Sequence, residues 1–402
     1  MPRRSSSSKS SHRRTSSSKT SPLAVIGVIL LLILGYLYES GRLSGVLGTP
    51  PVGNGPGVTD EAQPPTTAPG QPAADGAITP YFTTTALVYP DKQSTRGKAP
   101  LLEAFLADIN AASKRIDLAT FDFDIPEVTD ALIAAKKRGV EVRLIVDSEN
   151  LETEEVAQET GRLKSAGIPV HFDDREPFMH NKFASIDDKI AWMGSWNVTT
   201  NDTFRNNNNF IRFVNDQLAA DYRNEFEQMF GGAFGTAKKS GTPYPTVQIG
   251  DATISVFYSP EDGVAKHVLE SLNQAKKSIR FMAFSYTADP IADAMISKHK
   301  AGLTVDGVFE AQNAKGTGAD FSKLQNGGVN ILTDGNCYIM HHKTIIIDDH
   351  IVITGSYNFT ASAERSNDEN LVIIDSPTIA SIYLDEFSRV FGQAQNPTRC
   401  GS

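Results

Sequence analysis

The chain has 402 residues, 40% of them apolar and 8% aromatic, enough to bury an ordinary core in two domains or one double domain. Its net charge of −9 hides an asymmetry: six of the 38 Lys/Arg (Arg3, Arg4, Lys9, Arg13, Arg14, Lys19) fall in residues 1–20 with no acid among them, and the remaining 32 face 47 Asp/Glu. So acidic a body disfavours non-specific binding of long polyanions, which relies on Lys and Arg displacing counterions.

Residues 1–20 are rich in Ser, Arg and Lys and read as a solvated, basic cytoplasmic tail. No charge occurs between Lys19 and Glu39, and this run is dominated by Leu, Ile and Val. As a helix it spans about 28 Å, close to the roughly 30 Å hydrocarbon core of a bilayer. Residues 21–39 are therefore predicted to form one transmembrane helix. The basic flank places the N-terminus in the cytoplasm and the body outside it. A cleaved signal sequence, giving a secreted body, is the competing reading. Residues 40–79 are rich in Gly, Pro and Thr and read as a flexible linker. The two cysteines, Cys337 and Cys400, have no metal-ligand spacing and are either paired as a disulfide or both free.

From about Tyr81 the chain repeats itself. Arg115-Ile-Asp-Leu-Ala-Thr-Phe121 corresponds to Ser278-Ile-Arg-Phe-Met-Ala-Phe284. Each is followed by a helix-like stretch and a second apolar strand, 140–146 and 303–309. Further on, Tyr222-x-x-Glu225-Phe226-x-x-x-Phe230 corresponds to Tyr383-x-x-Glu386-Phe387-x-x-x-Phe391. This alternation predicts an α/β fold with a parallel or mixed sheet in each half. Two duplicated β-α-β, sandwich-type domains are expected, 80–235 and 250–396, related by a pseudo-two-fold axis, with 231–250 as the connection.

The repeat carries one motif twice, within 174–201 and 335–362. The first copy is His180-Asn-Lys182, then Asp187, then Gly194-Ser195-Trp196-Asn197; the second is His341-His-Lys343, then Asp348, then Gly355-Ser356-Tyr357-Asn358, with identical gaps. In a strand, residues two apart share a face, so each His sits beside its Lys. A hairpin turning at Asp187-Asp188, and again at Asp348-Asp349, would bring Asn197 back to His180 and Asn358 back to His341. Gly194 and Gly355 stand where a larger side chain would obstruct the backbone. Lys is a point charge for phosphate oxygens, and Asn supplies amide donors to them. Neutral His can attack phosphorus, and protonated His can donate to a leaving oxygen. Two facing halves supply both for an in-line displacement.

The paired motif resembles that of the phospholipase D superfamily over about residues 85–395. The resemblance implies phosphodiester cleavage through a phosphohistidine. It makes His180 and His341 the catalytic histidines, and Lys182, Lys343, Asn197 and Asn358 the phosphate clamp. Asp187 and Asp348 are the motif aspartates of the catalytic set, although their place at the hairpin turns reads as structural. Ser195 and Ser356 are supporting residues that hydrogen-bond locally. No metal and no cofactor are implied. With both half-sites in one chain, a monomer suffices.

Members of this family often carry a carboxylate about eleven residues after the motif Asn. The second half has Glu369 there and the first has Asn208. Glu369 is expected to lie beside His341 and favour its imidazolium, making it the acid. Asn208 is expected beside His180, leaving that ring neutral and nucleophilic, unless another acid such as Asp202 serves it. The leading expectation is a membrane-tethered phospholipase D that hydrolyses glycerophospholipids to phosphatidic acid and a headgroup alcohol. A metal-independent endonuclease acting on DNA or RNA, suggested by the compact halves, is the alternative. A phosphatidyltransferase and a non-catalytic membrane scaffold that binds phosphates are further ones.

Overall fold

The structure, a computed structural model, describes residues 76–83, 89–397 and 400. The predicted tail, the anchor at 21–39 and nearly all of the linker lie outside the described residues. Among the described residues no helix is long and apolar enough to cross a membrane.

The first half runs β1 (Ile78–Phe82), α1 (Pro100–Ala111), β2 (Arg115–Thr120), α2 (Pro126–Lys137), β3 (Glu141–Val146), α3 (Glu154–Ser165), β4 (Val170–Phe172), β5 (Lys182–Ile186), β6 (Ile190–Gly194), α4 (Thr200–Phe204), β7 (Asn209–Val214) and α5 (Asp216–Phe230). Its seven strands lie in the order β1-β7-β6-β5-β2-β3-β4. β2, β3 and β4 are parallel, joined by helical crossovers, and the remaining pairs are antiparallel. The second half runs β8 (Thr246–Ile249), β9 (Ala252–Ser259), α6 (Val264–Gln274), β10 (Ser278–Ala283), α7 (Asp289–Lys300), β11 (Thr304–Phe309), α8 (Phe321–Asn326), β12 (Asn330–Thr333), β13 (Lys343–Ile347), β14 (Ile351–Gly355), α9 (Ala361–Arg365), β15 (Glu369–Asp375) and α10 (Pro377–Gln395). Its order is β12-β11-β10-β13-β14-β15-β9-β8. The fold is thus mixed α/β with two sheets and a duplicated domain. The segment read as a plain connection contributes the edge strand β8, because Thr246–Ile249 alternates exposed and buried residues against β9.

Strand alternation divides the apolar side chains between three cores. Outward residues such as Leu118, Ala184, Trp192 and Phe210 pack under α1–α3. Their counterparts Phe281, Ile345, Ile353 and Leu371 pack under α6–α8. The inward residues of both sheets, among them Phe183, Met193, Ile211, Met282, Ile346 and Val372, meet in one shared core with Tyr222 and Phe226 of α5 and Tyr383 and Phe387 of α10. The halves are therefore fused through a common interior. Trp192 and Trp196 are both fully buried, so neither touches a lipid surface. Cys337 and Cys400 form a disulfide, which ties the C-terminal tail to the segment leading into β13.

The hairpins form as their spacing predicts. Asp187 and Asp188 both have positive φ (54° and 58°), as do Asp348 and Asp349 (52° and 62°), the requirement of a type I′ turn, which Asp tolerates. Lys189 N–H closes the first turn on the Ile186 carbonyl at 3.0 Å, and His350 N–H the second on Ile347 at 3.1 Å. The carboxylate of Asp187 accepts the backbone N–H groups of Ser113, Lys114 and Arg115 at 2.7–3.0 Å. Asp348 does the same for Lys276, Lys277 and Ser278 at 2.6–2.9 Å. These bonds hold both carboxyls below the ordinary range against the upward push of burial. Both aspartates fasten the start of β2 or β10 to the hairpin, at the end of the strand away from the histidine.

Charge-assisted hydrogen bonds of this kind stabilise by about 1.5–3 kcal/mol each. Asp187→Ala is expected to lower unfolding stability by about 2–4 kcal/mol in urea titration, with the folded fraction still turning over substrate. Lost turnover at unchanged stability would return Asp187 to the chemistry.

Candidate active site

The two halves bridge each other directly before and after each motif. His180 N–H donates to the Asp368 carbonyl, and Asp368 N–H to the Phe178 carbonyl, both at 2.9 Å. In the same way His341 N–H donates to the Asn207 carbonyl, and Asn207 N–H to Ile339, both at 2.9 Å. Each pair is a short parallel β-bridge between the segment entering one motif and the segment leaving the other.

This exchange reverses the expected pairing. Glu369 does not lie beside His341: its Oε2 is 2.7 Å from His180 Nδ1. Asn208 does not lie beside His180: its Oδ1 accepts from His341 Nδ1 at 2.8 Å. Asp202, the alternative acid for His180, stands 3.5 Å from His341 Nδ1 instead. The physical reason is the bridge. It carries residues 207–208 and 368–369 across to the opposite half, so the residue eleven positions after each Asn serves the partner motif.

Ser195 and Ser356 support these acceptors. Ser195 Oγ donates to Asn208 Oδ1 at 2.9 Å, and Ser356 Oγ to Glu369 Oε2 at 2.8 Å. Each hydroxyl also accepts the next residue's N–H, from Asn209 at 3.1 Å and Asn370 at 3.0 Å. The glycines before them permit this approach. A Cβ on Gly194 would lie 2.4 Å from the Asn209 carbonyl oxygen, and one on Gly355 2.2 Å from that of Asn370.

Lys182 and Lys343 are each 1% exposed. Their Nζ atoms donate to the carbonyls of His180 (3.0 Å) and His341 (2.9 Å). Lys182 lies 5.1 Å from the ring centre of Phe121, and Lys343 4.6 Å from that of Phe284. The same two rings meet His180 and His341 edge-on. Phe121 and Phe284 end the repeated strand segments, so the repeat contained them without revealing their role. Asn197 and Asn358 each carry a buried amide oxygen with no protein partner. Among the described residues, no group of three or more His, Cys, Asp and Glu is placed to hold a metal ion.

Burial and charge act strongly on the His180 side. Burial, then the charges of Lys182, Lys343 and His341, hold His180 well below the ordinary imidazole range. Burial also pushes the Glu369 carboxyl up to about 8, against the pull of Lys182. The His180–Glu369 pair therefore resists charge separation inside the protein.

The family described as the PLD-like domain of cardiolipin synthase matches residues 105–230 and 268–391. This chain belongs to the phospholipase D superfamily. A phospholipase D of Rickettsia bellii is 31% identical over 156 residues, covering 37% of this chain and 78% of that protein. A mitochondrial cardiolipin hydrolase of Chlamydomonas reinhardtii is 27% identical over 134 residues, covering 33% of this chain and 60% of that protein. Each of these matches is about as long as one half of the duplicated body. The solved phosphatidylserine synthase of Haemophilus influenzae aligns over 80% of this chain and 87% of its own, with a TM-score of 0.60 and 12% identity, a likeness of fold.

For Nε2 of His180 to attack, the pair must hold its proton on Nδ1 with Glu369 ionised. The kcat/KM profile of the free enzyme is therefore expected to climb with pH on its acid side up to about 8, a limb assigned to Glu369. Glu369→Gln is expected to abolish that limb and lower kcat/KM by about 10²-fold or more. A limb retained in Glu369→Gln would contradict the assignment.

Proposed function

We propose that this chain is a phospholipase D that hydrolyses glycerophospholipids to phosphatidic acid and a headgroup alcohol. The observation that carries the reading is the reciprocal pairing of two motif histidines with the opposite half, His180 with Glu369 and His341 with Asn208. In this reading Lys182, Lys343, Asn197 and Asn358 bind the non-bridging phosphate oxygens. Glu369 holds the proton on Nδ1 of His180, leaving Nε2 as the nucleophile. Nε2 attacks phosphorus, the bond to the headgroup oxygen breaks, and His341 gives that oxygen its proton. Neutral His341 then takes a proton from water as the water oxygen attacks phosphorus. The N–P bond breaks, its electron pair returns to His180, and His341 is again protonated.

This assignment keeps His180 as nucleophile and His341 as acid, on a different ground from that read in the sequence. A carboxylate bonded to Nδ1 fixes the tautomer of the attacking ring and stabilises the imidazolium-like product, as in a Ser-His-Asp triad. The motif aspartates take no part in the chemistry. Support for a lipid substrate comes from the names of the relatives, the acidic body and the uncharged run before it. The anchor reading places the body outside the cytoplasm, where the Cys337–Cys400 disulfide would persist.

The test uses the full-length protein in detergent with excess chelator. It is offered phosphatidylcholine, phosphatidylethanolamine and cardiolipin in mixed micelles, and single- and double-stranded DNA in parallel. Headgroup or phosphatidate release that disappears in His341→Ala is the expected outcome. Inert lipids with chelator-resistant DNA cleavage would make the chain a nuclease; turnover of neither would make it a binding scaffold.

A further inference from the structure

The duplicated motif is symmetric, but the groups behind its two histidines are not. Glu369 both orients His180 and supplies negative charge. On the other side these tasks are divided. Asn208 Oδ1 accepts the Nδ1–H of His341 but brings no charge. Asp202, in α4, places Oδ2 at 3.5 Å from the same nitrogen, with both side chains almost fully buried. The repeat offset pairs Asp202 with Ala363 of the second half, so this carboxylate has no counterpart across the pseudo-two-fold axis. Where the second half has its acid at Glu369, the first has an amide there and an acid six residues earlier.

Asp202 is built to remain ionised. Its Oδ2 accepts Asn197 N–H at 2.7 Å and its Oδ1 accepts Asn206 Nδ2 at 2.6 Å. The helix start around it is fixed by Thr199, whose Oγ1 accepts Asp202 N–H at 3.2 Å. Burial pushes the carboxyl up, but the His341 charge and these hydrogen bonds hold it well below the ordinary range. Lys343 faces His341 from its own strand, and His180 and Lys182 face the site from the other half. The two lysine charges oppose a charged imidazole, so His341 needs a compensating anion to carry the proton it donates.

We propose that Asp202 is the positioning residue of the acid half-site: its carboxylate keeps His341 protonated through space, while Asn208 alone fixes the orientation of the ring. A carboxylate held by Asn197 N–H and Asn206 Nδ2, at 3.5 Å from Nδ1 where Asn208 Oδ1 is at 2.8 Å, stabilises the cation by its charge. The inference rests on the proposed role of His341 as acid.

The test compares two phosphodiesters of one acid in the full-length chain, with an alkyl or a nitrophenyl leaving group. The alkoxide needs a proton on departure and the nitrophenolate does not. Asp202→Asn is expected to lower kcat/KM for the alkyl diester by about 10²-fold, with at least a tenfold smaller loss on the nitrophenyl diester. The alkaline limb of the alkyl profile is expected to move to lower pH. Equal losses on both diesters with an unmoved limb would mean a merely structural Asp202 and overturn the inference. Adding Asn208→Asp returns a carboxylate to Nδ1 and is expected to restore the limb. Should Asp202→Asn not fold, Asn208→Asp alone carries the test: the limb rises, or the charge argument fails. Wild-type protein that turns over neither diester would defeat the proposed function itself, a result distinct from equal losses in the variant.

Discussion

The active site depends on the two parallel bridges by which each half catches the other: His180 N–H on the Asp368 carbonyl and His341 N–H on that of Asn207. A backbone bond made next to each histidine fixes both the imidazole and the identity of the residue behind it. Neither half completes the surroundings of its own motif histidine, because Nδ1 of each ring is bonded by a side chain from the other. The shared inner core, with α5 and α10 packed into it, gives those bridges a rigid setting. The duplication therefore creates one site whose two parts cannot be separated.

Identical motifs have to act differently if one histidine attacks and the other donates. The difference is written in the bridging residues. The second half contributes Asp368-Glu369 to His180, and the first contributes Asn207-Asn208 to His341. The acidic pair brings buried charge that must be compensated. Asp368 is met by Arg175 and by the buried Lys238, whose Nζ is 3.0 Å from Asp368 and 2.5 and 2.9 Å from Glu225 and Glu261. Lys238 comes from the segment between the halves, so that segment is part of the electrostatics of the His180 side. On the amide side no such neutralisation is needed: Asn336 Nδ2 donates to Asn207 Oδ1 at 2.7 Å. Outside the bridges the pattern persists one layer back. Asn370 Nδ2 donates to Asn181 Oδ1, and Asn209 bonds His342, whose other nitrogen meets Glu386. His342 is thus occupied in the interior, away from the chemistry.

Much of this was legible in the chain because it is local. The spacing from Lys182 to Gly194 is two strands and a turn, and alternation decides which residues share a face. The repeat likewise exposed the β-α-β segments and the long helices α5 and α10. What the sequence did not disclose is which half supplies each partner. Eleven residues separate Asn197 from Asn208 whether the chain folds back or crosses over, and only the tertiary bridge chooses between them. The same limit hid Asp202, whose distance to His341 is bridged in space and not along the chain. The edge strand β8 is hidden in the sequence because Thr246–Ile249 follows a Gly- and Pro-bearing stretch that reads as a connection.

In the proposed mechanism the cross-half carboxylate makes His180 the nucleophile. Quenching the enzyme with denaturant at alkaline pH, where a histidine phosphoramidate survives, during turnover of a slow diester, then digesting it and locating the phosphoramidate by mass spectrometry tests this directly. The expected result is phosphate on His180 in the wild type and none on His341. Phosphate on His341 would contradict it.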